Sequence, residues 1–286
     1  MIIFNGKIET YKEFLDYLFE KNIYVVKIMN LIINISLLIT FYIMISGFGA
    51  YFEQEFKIDN MVGALILGAV CFLVFMTSVK GVARVNSIVV PMLIIFIIVI
   101  GFNNLIDGEF NFFETGYSPR GFKWLWATII YCSYNMILLI PVLVNLKEYI
   151  KSKKQILIIS IISGIIMFLL AMSIYFLLAR IDVNVDNIQM PAVYVIGKYF
   201  VRFKRIYGVV ILLSIFSTAI SVGISFLENT VKNKRYFPQI AGIMCITSCI
   251  ISNFGFSNLV KLLFPIIGYM GVLQILLIIK IDKNAI

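Results

Sequence analysis

"QILIISIISGIIMFLLAMSIYFLLA", residues 155–179, contains no Asp, Glu, Lys or Arg. Lys153 and Lys154 precede it and Arg180 follows it. A helix needs about 20 apolar residues to cross the hydrocarbon core of a bilayer. The run lacks the period-two alternation of a barrel strand, so it reads as a membrane-spanning helix whose backbone bonds are satisfied internally.

Working outward, seven more runs of this kind appear, at about 28–50, 61–79, 85–103, 124–146, 206–227, 237–253 and 259–280. The whole chain is 61% hydrophobic and 14% charged, with a mean hydropathy of +1.00. A soluble domain of this length cannot bury so much apolar surface. The expected fold class is all-α, a polytopic membrane helical bundle of about eight transmembrane helices. Residues 1–27 form a cytoplasmic or interfacial amphipathic segment, 28–280 the transmembrane domain, and 281–286 a cytoplasmic tail.

No ionisable carboxylate, lysine or arginine lies deep inside a span, and the chain has no histidine. That excludes the usual intramembrane proton relays, most metal sites and most acid–base catalysis. The expectation is that the protein is not an enzyme and carries no cofactor. Cys71, Cys132, Cys245 and Cys249 fall within spans. Cys245 and Cys249 share a helix face, which suits a redox pair, but cysteine also serves as a small buried hydrophobe. "MIIF" at residues 1–4 is too short for the apolar core of a signal peptide.

Basic residues give the orientation. Lys80 and Arg84, then Lys147, Lys151, Lys153 and Lys154, then Lys232, Lys234 and Arg235 mark one set of connections. Lys7, Lys12, Lys21 and Lys27 precede the first span, and Lys280 and Lys283 close the last. The alternate connections, "YFEQEFKIDN" (51–60) and "NNLIDGEFNFFETGYSPRG" (103–121), are acidic or neutral. The positive-inside rule then places both termini in the cytoplasm of a cell-membrane protein. The net charge of +9 reads as topology plus attraction to anionic lipid, ahead of any nucleic acid.

One outer connection breaks the charge rule. "RIDVNVDNIQMPAVYVIGKYFVRFKR" (180–205) carries Arg180, Lys198, Arg202, Lys204 and Arg205. Its apolar part is too short to span, and Pro191 suits the first turn of a helix, so a short surface or re-entrant helix is expected over the outer mouth. A ninth span here would instead place the tail outside. At the other extreme, "ETYKEFLDYLFEKN" (9–22) has Thr10 and Glu13 at capping-box spacing. Tyr11, Phe14, Leu15, Leu18 and Phe19 line one face, with Lys12, Glu13, Asp16 and Glu20 opposite. This amphipathic helix either lies on the membrane interface or packs on the bundle's inner ends.

Three stretches place polar or helix-breaking residues inside spans. In "ILLSIFSTAISVGIS" (211–225), Ser214, Ser217 and Thr218 share a face that Ser221 and Ser225 extend. Hydroxyl oxygens so arranged suit a small hard cation such as sodium, if a neighbouring unwound helix adds carbonyls. Small polar residues equally pack membrane helices or bond back to their own turn. Gly47 and Gly49 in "MISGFGAYFE" (44–53) point to tight helix packing, and Pro91 in "ARVNSIVVPML" (83–93) to a kink. In "YCSYNMILLIP" (131–141), Tyr131, Ser133, Tyr134 and Asn135 precede Pro141. Either this is a proline kink with interfacial tyrosines, or the helix opens to hold a solute, as interrupted transporter helices do.

Together with "KGVARVNSIVVPMLIIFIIV" (80–99), "WLWATIIYCSYNMILLIPVLVNLKEYI" (124–150) and "MPAVYVIGKYF" (190–200), these stretches resemble the YkvI-type membrane proteins. That group is a bacterial branch of the amino acid–polyamine–organocation superfamily. The resemblance runs from about residue 10 to the C-terminus and rests on the order of several loose motifs. It implies a LeuT-like fold of two inverted five-helix repeats, with helices one and six unwound around the substrate and helix eight lending hydroxyls to a cation. Carried over by order, the eight spans correspond to helices three to ten. Tyr131, Ser133, Tyr134 and Asn135 then become substrate-binding residues on helix six, and Ser214, Ser217 and Thr218 cation-binding residues on helix eight. The short outer helix falls between helices seven and eight.

The family's first helix is Gly-rich, roughly "GAGFASGQE" in pattern, and these residues contain no such stretch. The expectation is therefore a truncated architecture lacking helices one and two. A misplaced start, a degraded gene and a genuinely short protein all give that pattern. The function implied is sodium- or proton-coupled movement of a small amino-acid-like solute. The alternative is a non-transporting receptor or structural subunit, similar to the germinant receptors of the same superfamily.

Overall fold

A computed structural model describes residues 11–19, 22–77, 80–106, 122–145, 152–179 and 188–284. Among these residues the helices are α1 (Tyr11–Leu18), α2 (Ile23–Phe56), α3 (Asn60–Met76), α4 (Lys80–Ile106) and α5 (Lys123–Asn145). They continue with α6 (Lys153–Leu178), α7 (Pro191–Tyr199), α8 (Lys204–Thr230), α9 (Phe237–Ser252) and α10 (Phe256–Asn284). Short 3-10 turns at Val201–Phe203 and Lys234–Tyr236 lead into α8 and α9. No strand occurs in the described residues, and the protein is an all-α, multi-pass membrane bundle.

Each of the eight predicted spans falls on a helix, and the predicted short outer helix is α7, starting at Pro191. Four helical stretches (Ile23–Phe56, Lys153–Leu178, Val201–Thr230 and Phe256–Leu276) are long and apolar enough to cross a membrane unaided. Asn60–Met76 and Val90–Asn103 are shorter apolar helices. The 17 residues of α3 and 16 of α9 reach only about 25 Å and about 24 Å at 1.5 Å per residue, a little under a typical hydrocarbon core. These two short helices pack extensively against each other.

Helix ends follow local chemistry. Asp59 caps α3 by accepting from the Met61 amide at 2.7 Å. At the other end the Thr77 hydroxyl donates to the Val74 carbonyl at 2.9 Å. Asn233 accepts from the Arg235 amide at 3.0 Å and starts the turn that feeds α9.

The chain divides into two compact units. The first comprises Met1–Leu37, Ser118–Ser163 and Lys261–Ile286. Here α1 packs on α5, and Phe14, Leu15 and Phe19 are buried while Glu13 and Tyr17 are exposed. The apolar face of the amphipathic segment is thus the one turned toward α5. In the same unit α5 and α10 approach closely at two glycines. A Cβ on Gly268 would overlap Ile130, and one on Gly271 would overlap the Ser133 carbonyl.

The second unit comprises Leu38–Tyr117 and Gly164–Val260. Its core includes Phe41, Leu67, Phe75, Ile196, Ile220 and Leu227, all nearly or fully buried. Gly223 of α8 faces the rings of Phe75 and Phe41 with no room for a side chain. The predicted close approach at Gly49 is present: a Cβ on Gly63 would lie 2.8 Å from the Gly49 Cα.

Three connections meet at one end of this unit. The Gln54 amide nitrogen donates to the Met190 carbonyl at 3.2 Å, while its oxygen accepts from the Met190 amide at 3.0 Å. Gln189 Oε1 accepts from the Ser257 amide at 2.9 Å. Lys204 Nζ pairs with Glu55 at 2.8 Å. The α2–α3, α6–α8 and α9–α10 connections thus share a side, as the charge alternation requires. The basic loop at 147–151 and Arg180 lie outside the described residues.

Candidate functional site

The stretch expected to open does not. Helix α5 is continuous from Lys123 to Asn145, through Pro141. The polar side chains satisfy themselves within the helix. Ser133 Oγ donates to the Ile129 carbonyl at 2.7 Å, and Asn135 Nδ2 donates to the Tyr131 carbonyl at 2.8 Å. Pro141 has no amide to give the Ile137 carbonyl, and the described helix runs on past it to Asn145.

Nor do the four polar residues face one way. Tyr131 and Asn135, four residues apart, are both exposed. Ser133 is 2% exposed beneath Gly271, on the same face as the buried Ile137. Tyr134 is half-buried, its ring stacked on Phe264 at 4.6 Å and edge-on to Tyr131 at 5.2 Å. Trp126 and Tyr269 extend this aromatic seam between α5 and α10. The proposed substrate residues therefore split into an exposed pair and a packed pair.

On α8, the row of hydroxyls is ordered along one face. Ser217 is buried, and Ser214 and Thr218 are half-buried. Ser217 Oγ donates to the Ser214 carbonyl at 3.3 Å, Ser221 to Ser217 at 2.8 Å, and Ser225 to Ser221 at 2.8 Å. This is the back-bonding pattern of small polar residues in membrane helices. A hydroxyl that donates its proton this way keeps its lone pairs, which are what a cation would use. Ser214, Ser217 and Thr218 belong to the second unit, and Tyr131 to Asn135 belong to the first. Among the described residues no three His, Cys, Asp or Glu side chains group as a metal site.

Two polar positions escaped the sequence reading. Gln274 of α10 is fully buried, and the Asn34 side-chain oxygen of α2 is buried with no hydrogen-bond partner. Both belong to the first unit. Buried amides inside a membrane helix are costly and mark functional candidates. Each amide sits in an apolar run, "LIINIS" (31–36) and "GVLQILLI" (271–278), with no helix breaker beside it to single it out.

No family model matches this sequence, and no solved structure matches it. The chain is 30% identical over 252 residues to the uncharacterized membrane protein YkvI of Bacillus subtilis (strain 168). That match covers 86% of this chain and 71% of YkvI. It is also 24% identical over 249 residues to the uncharacterized protein YyaD of the same organism, covering 86% of this chain and 72% of YyaD. The identity to YkvI extends across the helices just described, and on that basis the chain belongs to the YkvI family of membrane proteins.

Proposed function

We propose that this protein is a LeuT-like secondary transporter for amino-acid-like solutes, coupled to sodium or protons. The observation that carries the reading is element order. Among the described residues a nine-residue helix, α7, separates α6 from α8, and five long helices precede it while three follow. In the ten-helix fold these would be helices three to seven, the short outer helix, and helices eight to ten. The counterparts of helices one and two then fall outside these 286 residues. Tyr131 and Asn135 are the exposed pair that contacts solute, while Ser133 and Tyr134 hold that turn in place. Ser214, Ser217 and Thr218 supply hydroxyls to the coupling cation, with the remaining ligands drawn from helix one in a complete fold. Both termini are cytoplasmic in this reading.

A second reading has its own support. The unbroken α5 favours a non-transporting receptor or structural subunit, for which no gated opening is needed. Purified protein reconstituted in liposomes separates the two. A transporter accumulates a labelled solute down an imposed ion gradient; a receptor binds it without accumulation.

A further inference from the structure

The basic outer connection violates the charge rule that orders the rest of the chain, and solute transport gives it no task. In the structure it builds a recess of 640 Å³, lined among others by Tyr51, Glu55, Lys204, Arg205, Val209 and Leu212. Two cations face one carboxylate. Glu55 neutralises Lys204 at 2.8 Å and is itself nearly covered, which leaves Arg205, an exposed guanidinium, as the surplus charge. Arg202 is exposed alongside, and Lys198 lies 5.2 Å from the ring centre of Tyr199.

The recess is not a purely polar pocket. Phe56 at its rim is 55% exposed, and Val201 beside the cations is 67% exposed. From Arg205 an apolar stripe descends α8 through Ile206, Val209 and Leu213, all exposed and spaced along one helix face. A free soluble anion would use the charge and ignore the stripe. A phospholipid uses both: phosphate on Arg205 at the membrane surface, acyl chain along the stripe. Basic side chains near an anionic leaflet attract its lipids with roughly fivefold effect per residue.

We propose that this recess is a binding site for an anionic phospholipid, phosphatidylglycerol in its simplest form, in the leaflet at that end of the second unit. Which leaflet that is follows from the topology; the binding does not depend on it.

The test titrates the purified full chain, in uncharged detergent, with phosphatidylglycerol and with phosphatidylcholine of matched chains, counting bound lipid by native mass spectrometry. Phosphatidylglycerol should bind at least about fivefold tighter. Arg205→Gln should abolish most of that preference and leave phosphatidylcholine binding unchanged. Glu55→Gln, which frees Lys204, should strengthen it, showing that the site works in a folded variant. Lys232→Gln, which changes an exposed basic residue just beyond the far end of α8, should change nothing. Excess free glycerol phosphate should not displace the lipid. Equal affinity for the two lipids, an unaffected Arg205→Gln variant, or displacement by glycerol phosphate (which would mark a soluble-anion site) each overturns the proposal.

Discussion

Gly271 of α10 rests directly on the Ser133 carbonyl of α5, so that any side chain there would collide with backbone. Backbone cannot swing aside as a flexible side chain can, so Gly271→Ala should destabilise the protein by about 1–3 kcal/mol. Gly164 of α6 has nothing near its Cβ direction, and there Gly→Ala should stabilise by about 0.5–1 kcal/mol through helix propensity. Unfolding in detergent micelles, read by circular dichroism, checks both. Equal effects at the two positions would contradict the close α5–α10 crossing.

Gln54 binds both the amide and the carbonyl of Met190, the residue that introduces α7. Gln54→Leu fills similar volume but leaves the Met190 amide unmet, while the Met190 carbonyl keeps its bond from the Tyr194 amide, at a cost of about 1–3 kcal/mol. The expected signature is local. Hydrogen exchange should accelerate across Pro191–Tyr199 while α3 amides remain protected. Unchanged exchange in α7 would show that the two bonds do not hold it.

The spans were legible because crossing a bilayer imposes length and composition on a helix independently of tertiary context. The predicted run 237–253 differs from α9 by one residue. The predicted 28–50 falls short of α2, Ile23–Phe56, because helix continues beyond the apolar zone into charged flanks that hydropathy cannot follow. Pro191 announced α7 because proline at a first turn loses no bond. The opening of α5 that the resemblance implies is absent, and the helix runs unbroken through Tyr131–Asn135 and Pro141. Partnership was illegible too. Nothing in "IIGYMG" (266–271) says that its two glycines meet Ile130 and Ser133.

Topology gives a paired prediction. In a background lacking the native cysteines, Asn253→Cys should react with a membrane-impermeant maleimide added to intact cells, and Ser152→Cys should not. Asn253 is exposed at the end where Gln54, Gln189 and Lys204 gather. Reaction at Ser152 instead would invert the orientation; reaction at both or neither would break the alternation itself.

The hydroxyl row of α8 predicts an ion effect. If Thr218 supplies a cation ligand, replacing potassium with sodium should raise the melting midpoint of the wild-type protein. Thr218→Ala should erase that difference. Ser225→Ala, which removes a hydroxyl bonded back to Ser221, should retain it. A sodium effect untouched by Thr218→Ala would place the cation elsewhere.

Gradient-driven uptake in liposomes tests the transporter reading most directly. YkvI, of which this chain matches 71%, is reconstituted and offered a panel of labelled amino acids under sodium and proton gradients. The expected result is accumulation of at least one amino acid by YkvI, sensitive to substitution of the residue equivalent to Asn135. The contradictory results are two. No uptake by YkvI under any gradient would remove the transport function. Uptake by YkvI that survives substitution of the residue equivalent to Asn135 would remove that residue from the solute site.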